Sequence, residues 1–178
     1  MLDTIHLLVT IHHTHIMNRF LAPSFAFLLA AAILYLWLSP SGIQKAPTLK
    51  LSSMQQQSFH IGANQDKPSL VVFWATSCVG CVKKIPDMIA LQNDMGEDIN
   101  IIAIAMQDDP VEHIIKMRAS KNINYPIVLD TTGNYAQQFG EVRLTPTTLL
   151  INSDGRIIFQ RIGNINFDSL RQRIQTLL

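Results

Sequence analysis

Two residues of this 178-residue chain have the type and spacing for covalent chemistry: Cys78 and Cys81, its only cysteines. They stand three positions apart in Cys78-Val79-Gly80-Cys81. The run Ser69–Trp74 ahead of them is rich in β-branched and aromatic side chains and reads as a buried strand; an amphipathic stretch comes after them. The pair is therefore expected to open a helix. Unpaired backbone N–H groups and the positive end of the helix dipole favour a thiolate there, and the thiolate is the nucleophile. A partner one turn on is within disulfide reach. Thiol–disulfide exchange would use Cys78, the more exposed thiol, for attack. Cys81, already inside the helix, would resolve the mixed disulfide.

Three other uses compete. A structural disulfide closing so small a loop stabilises little. A zinc site needs four ligands, and His60 and His113, the histidines outside the N-terminal segment, lack ligand-like spacing. A Cu(I) site on the two thiols, with a histidine or methionine, is open because soft thiolates select that ion. No spacing calls for a resident cofactor.

The elements that must position the pair alternate. After the first strand comes a helix from Val82 to about Met95, with Ile85, Met88, Ile89 and Leu91 as its apolar stripe. Asn100–Met106 is a second strand. Asp109 and Pro110 supply an N-cap and a first-turn proline for a helix over Val111–Lys121, with Ile114, Ile115 and Met117 inward. Ile127–Leu129 is a short strand and Asn134–Phe139 a short helix ended by Gly140. Thr147–Ile151 and Arg156–Gln160 form a hairpin around Asn152-Ser153-Asp154-Gly155. Asn166 caps a last helix. Ahead of all these, two short pieces within residues 47–61 form a hairpin. The order predicts an α/β fold with a central mixed sheet flanked by helices. Thr145-Pro146 sits at the start of a strand, where proline is tolerated.

The N-terminal part differs in kind. Residues 20–38, FLAPSFAFLLAAAILYLWL, carry no charge and are long enough for a transmembrane helix. Arg19 precedes them, which favours an inside N-terminus and an outside remainder. The run exceeds an ordinary signal h-region, so an uncleaved anchor is read ahead of a cleaved signal. Residues 1–19 include His6, His12, His13 and His15; a start at Met17 is expected, and residues 1–16 receive no function. Residues 39–50 read as a linker and residues 51–178 as the folded domain. Charged residues make up only 15% of the chain, and a net charge of +1 offers no basis for a nucleic-acid partner.

The stretch Val71-Val72-Phe73-Trp74-Ala75-Thr76-Ser77-Cys78-Val79-Gly80-Cys81-Val82-Lys83-Lys84-Ile85-Pro86 resembles the active-site segment of thioredoxin-like proteins, nearest the membrane-anchored TlpA/ResA-like branch. Pro86 matches the family's helix-kink proline. Thr145-Pro146-Thr147-Thr148 with Asp154-Gly155-Arg156 resembles its cis-proline loop and closing hairpin, and Gly163 the glycine before the last helix. The likeness covers residues 47–178.

The resemblance implies a thioredoxin-like fold and exchange chemistry at Cys78 and Cys81. It implies that Pro146 is cis beside the disulfide, that Thr145 offers backbone hydrogen bonds to substrate and that Trp74 packs near the site. It further implies protein disulfide or thiol substrates and a membrane thiol donor of DsbD type. Attachment to a bacterial inner membrane through residues 20–38 would leave the domain on the periplasmic or extracytoplasmic side. Reductive roles dominate such families, as in cytochrome c maturation. A copper-handling module and a disulfide-donating oxidase are the alternatives. The departures are specific. Ser77 stands where many relatives have Trp. Val72 and Ala103 stand where thioredoxins have a buried Asp and a Lys. The usual proton acceptor for Cys81 is therefore missing. Asp108 and Asp109 are candidates by position, with helix capping as their more ordinary role.

Overall fold

The computed structural model describes residues 28–31, 33, 35 and 44–178. Most of the apolar run 20–38, all of residues 1–19 and the first part of the linker lie outside the described residues. Residues 28–31, 33 and 35 are helical. Among the described residues no helix is long and apolar enough to cross a membrane. A compact unit begins at Ile43 and runs to Leu178.

The centre of this unit is a five-stranded sheet built from β3 (Ser69–Trp74), β4 (Asn100–Ala105), β5 (Ile127–Leu129), β6 (Thr147–Ile151) and β7 (Ile157–Ile162), in the order β5-β4-β3-β6-β7. β3, β4 and β5 are parallel, and β6 and β7 run antiparallel at one side. A separate hairpin, β1 (Leu49–Ser52) with β2 (Ser58–Ile61), precedes the sheet. Residues 44–50, read as the end of a linker, already belong to the domain. Ala46 is buried and its N–H donates to the Gly155 carbonyl at 2.8 Å, and Leu49 begins β1. Their polar composition hides a strand held by backbone bonds.

All six residues of β3 are buried because both faces of the sheet are covered. Side chains alternate between the faces. Leu70, Val72 and Trp74 join one core with Ile85, Met88 and Leu91 of α2 (Ile85–Met95), Ile114 of α3 (Val111–Lys121) and Phe167, Leu170 and Ile174 of α5 (Phe167–Gln175). Val71 and Phe73 join the other with Leu51 and Ile61 of the hairpin, Ala136 of α4 (Asn134–Gln138), and Phe139. The closing turn is as read: Gly155 takes φ +77°, and a Cβ there would stand 2.4 Å from the Gly62 backbone. Asn166 caps α5 by accepting from the Ser169 N–H at 2.9 Å.

Three details depart from the pattern. The helix expected over Val82–Met95 starts earlier and is divided into α1 (Val79–Lys83) and α2, with Lys84 between them. Pro86 has no N–H for the Val82 carbonyl, so the ladder breaks and the Lys84 N–H donates to Cys81 O instead. In α3 Ile114 is buried but Ile115 is 51% exposed, since only a narrow stripe of that helix meets the sheet. The residue at the cap of α3 is Pro110, and no side chain caps it. Asp109 is engaged elsewhere.

Candidate active site

Cys78 is the N-cap of α1, in extended conformation, and its sulfur accepts from the Cys81 N–H at 3.2 Å. The helix start is thus turned onto the Cys78 sulfur, in keeping with its position in the sequence. Cys78 and Cys81 form a disulfide, with Cα atoms 5.2 Å apart. Cys78 is partly exposed and Cys81 is buried. An incoming thiolate therefore reaches Cys78 and leaves Cys81 as the departing sulfur.

The Thr145–Pro146 peptide bond is cis. Pro146 stands against the cysteine loop: its Cδ lies 3.7 Å from where a Cβ on Gly80 would be. The Pro146 carbonyl is fixed by the Gly163 N–H at 2.7 Å, and Gly163 takes φ +84°. The fold thus brings Cys78, Cys81, Thr145 and Pro146, distant in sequence, to one edge. Val79, the first residue of α1, and Leu144, next to Thr145, are both exposed.

Trp74 is buried at the end of β3, and its indole N–H has no hydrogen-bond partner among the described residues. It lines a cavity of about 30 Å³ behind Cys81, together with Val72, Ala103, Tyr125, Thr148 and Lys84. Val72 and Ala103, the two departures noted in the sequence, thus meet at one place. Among the residues lining the cavity Lys84 alone is charged, and its ammonium lies 3.1 Å from the Asp87 carboxylate.

Asp109, a candidate proton acceptor or cap by its position, is neither a lining residue of this cavity nor a cap of α3. Its buried carboxylate accepts from the Thr76 N–H at 2.6 Å and from the Thr76 hydroxyl. Asp109 therefore ties the turn after β4 to the loop that leads into Cys78. Asp108 is exposed. Sequence reading missed Tyr125, which carries no motif; its one signal is a large polar aromatic beside a short buried strand.

Among the described residues no group of three or more His, Cys, Asp and Glu gathers as a metal site. What the arrangement offers is an asymmetric dithiol pair, one sulfur at the surface and one buried, with the Thr145–Pro146 segment beside them.

Residues 43–174 match the Redoxin family. The chain is 27% identical over 123 residues to the thiol-disulfide oxidoreductase ResA of Halalkalibacterium halodurans, covering 68% of this chain and 69% of that protein. Among solved structures, a putative thioredoxin from Neisseria meningitidis is similar with a TM-score of 0.68 and 29% identity, over 75% of this chain and 90% of that one. A putative thiol:disulfide interchange protein DsbE from Chlorobium tepidum shares the fold, with a TM-score of 0.66 and 22% identity, over 75% and 95% of the two chains.

Proposed function

This chain belongs to the Redoxin family and is a thiol–disulfide oxidoreductase of thioredoxin-like fold, and on that premise we propose that it is a membrane-anchored reductase of protein disulfides outside the cytoplasm. The observation that carries the reading is the Cys78–Cys81 disulfide at a helix start, with one sulfur open to attack and Pro146 beside it. The uncharged run of residues 20–38 behind Arg19 supports the anchor and the outward-facing domain. With no cysteine beyond the pair, electrons enter by exchange with another protein. A membrane thiol donor of DsbD type meets that need, and cytochrome c maturation is the kind of process such a reductase serves. Thr145 makes no hydrogen bond to another described backbone group, which leaves its edge free for an extended substrate segment.

In the reductive cycle the Cys78 thiolate attacks a substrate disulfide and one substrate sulfur leaves. Cys81 then attacks the Cys78 sulfur, restores the internal disulfide and releases the second substrate thiol.

The test is the reduction potential of the pair, measured by equilibrating the full chain with glutathione and then dithiothreitol buffers. A value near or below that of thioredoxin, about −270 mV, is expected. A value near that of strong periplasmic oxidants, about −120 mV, would make disulfide donation the function instead. If no reversible couple forms, exchange is abandoned and Cu(I) binding by the two thiols comes forward.

A further inference from the structure

We propose that Tyr125 is the supporting residue of Cys81: its hydroxyl, acting through the cavity behind the disulfide, stabilises the Cys81 thiolate. The need comes from the reaction itself. When a donor thiolate attacks Cys78, a donor–Cys78 sulfur bond forms, the Cys78–Cys81 bond breaks, and Cys81 departs with the electron pair as a thiolate. The same thiolate later attacks the Cys78 sulfur of a mixed disulfide. Cys81 is only 6% exposed, so this charge arises away from bulk water.

The residues lining the cavity supply no carboxylate and only one charge. That charge, Lys84, is held by Asp87 and lies over the Phe167 ring, 5.5 Å from its centroid. Val72 and Ala103 contribute nothing polar. Three neutral lining residues carry a donor group, namely Tyr125, Trp74 and Thr148. Tyr125 is 3% exposed, and burial alone drives its titration far above the ordinary value near 10. It therefore stays protonated wherever the enzyme works. It cannot be the base that takes the Cys81 proton, but it is a permanent donor to the thiolate. A hydroxyl also accepts, so it can serve the thiol form of Cys81 as well as the thiolate. The indole N–H serves the thiolate alone. The cavity, about 30 Å³, has room for roughly one or two bridging waters.

The experiment uses the full chain carrying Cys78→Ser, so that Cys81 titrates alone and is followed by thiolate ultraviolet absorbance. Adding Tyr125→Phe, which keeps the ring, is expected to raise the Cys81 titration by about one unit. In the protein with both cysteines, the same change is expected to slow opening of the disulfide by a small thiol roughly threefold. A less stable thiolate leaves more slowly, and the rate follows only part of a change in thiol basicity. In the full chain carrying Cys81→Ser, the titration of Cys78 should not move with Tyr125→Phe. An unmoved Cys81 titration in folded Tyr125→Phe protein overturns the proposal. So does a larger shift from Lys84→Met or Trp74→Phe than from Tyr125→Phe. If Tyr125→Phe does not fold, the ring-carbon resonance of Tyr125 in isotope-labelled Cys78→Ser protein decides: it must shift as Cys81 titrates, and silence there is fatal. Failure of these tests leaves exchange itself intact, since the potential of the pair is measured separately.

Discussion

The turns after β4 and β5 each bury an aspartate that accepts two hydrogen bonds, and the two serve different ends. Asp130, after β5, is 2% exposed and accepts from the backbone N–H groups of Tyr135 at 3.1 Å and Ala136 at 2.8 Å. Its partners lie five and six residues on. It caps α4 from a distance, because Gly133, at the N-cap position with φ +72°, has no side chain to do so. Asp109, after β4, is 8% exposed and reaches back to Thr76, 33 residues earlier. One carboxylate holds its own loop together. The other holds a different loop, the one that presents Cys78. Similar burial and equal bond number therefore do not imply equal roles; what matters is which segment the donors belong to.

The comparison predicts separable effects. Asp130→Ala should cause the largest stability loss, about 2–4 kcal/mol, because it strands two N–H groups, one of them buried. Exchange per folded molecule should be unchanged; chemical denaturation and a disulfide-reduction assay measure the two quantities. If exchange falls as well, the contrast between the carboxylates is lost.

Asp109→Ala should cost less stability, about 1.5–3 kcal/mol, since Thr76 can turn to solvent. It should slow exchange by roughly tenfold, through a loosened Cys78 loop. An exchange rate within about twofold of the parent would make Asp109 another purely local support. Thr76→Val removes the hydroxyl bond and keeps the backbone one, so a smaller change in the same direction is expected, about 0.5–1.5 kcal/mol. Combined with Asp109→Ala it should add little, and a double-mutant cycle reads that non-additivity.

The smallest effect should come from the other side of the site. Gly80→Ala places a methyl in ordinary contact with Pro146 at 3.7 Å and improves helix propensity. A gain of about 0.5–1 kcal/mol with unchanged exchange is expected from thermal melts and the same assay. A loss of exchange would show that close backbone approach at Gly80, rather than the Asp109 clamp, governs access to Cys78.

Much of this molecule is legible in the residues. The strand Ser69–Trp74 is as read because a strand buried on both faces must be apolar throughout. Val111–Lys121 and the cap at Asn166 also stand, since capping and periodicity are local properties. The α1–α2 break is half legible: Pro86 announces a disturbance, but its place at Lys84 depends on which carbonyl loses its donor. Asp109 reads wrongly as a cap because Asp-Pro ahead of an apolar stripe is the local signature of a helix start. Its true partner lies on another loop, and no local rule reaches that far.

By itself the sequence determined the chemistry and the frame: two thiols one turn apart, the strand before them, and the alternation that builds a mixed sheet. These arise from side-chain type and spacing, which act over a few residues. Only the tertiary structure decided that Pro146 lies against the cysteine loop, that Asp109 grips Thr76, and that Val72, Ala103 and Tyr125 share a cavity with Cys81. Those contacts join segments tens of residues apart, and their partners are chosen by strand order and packing.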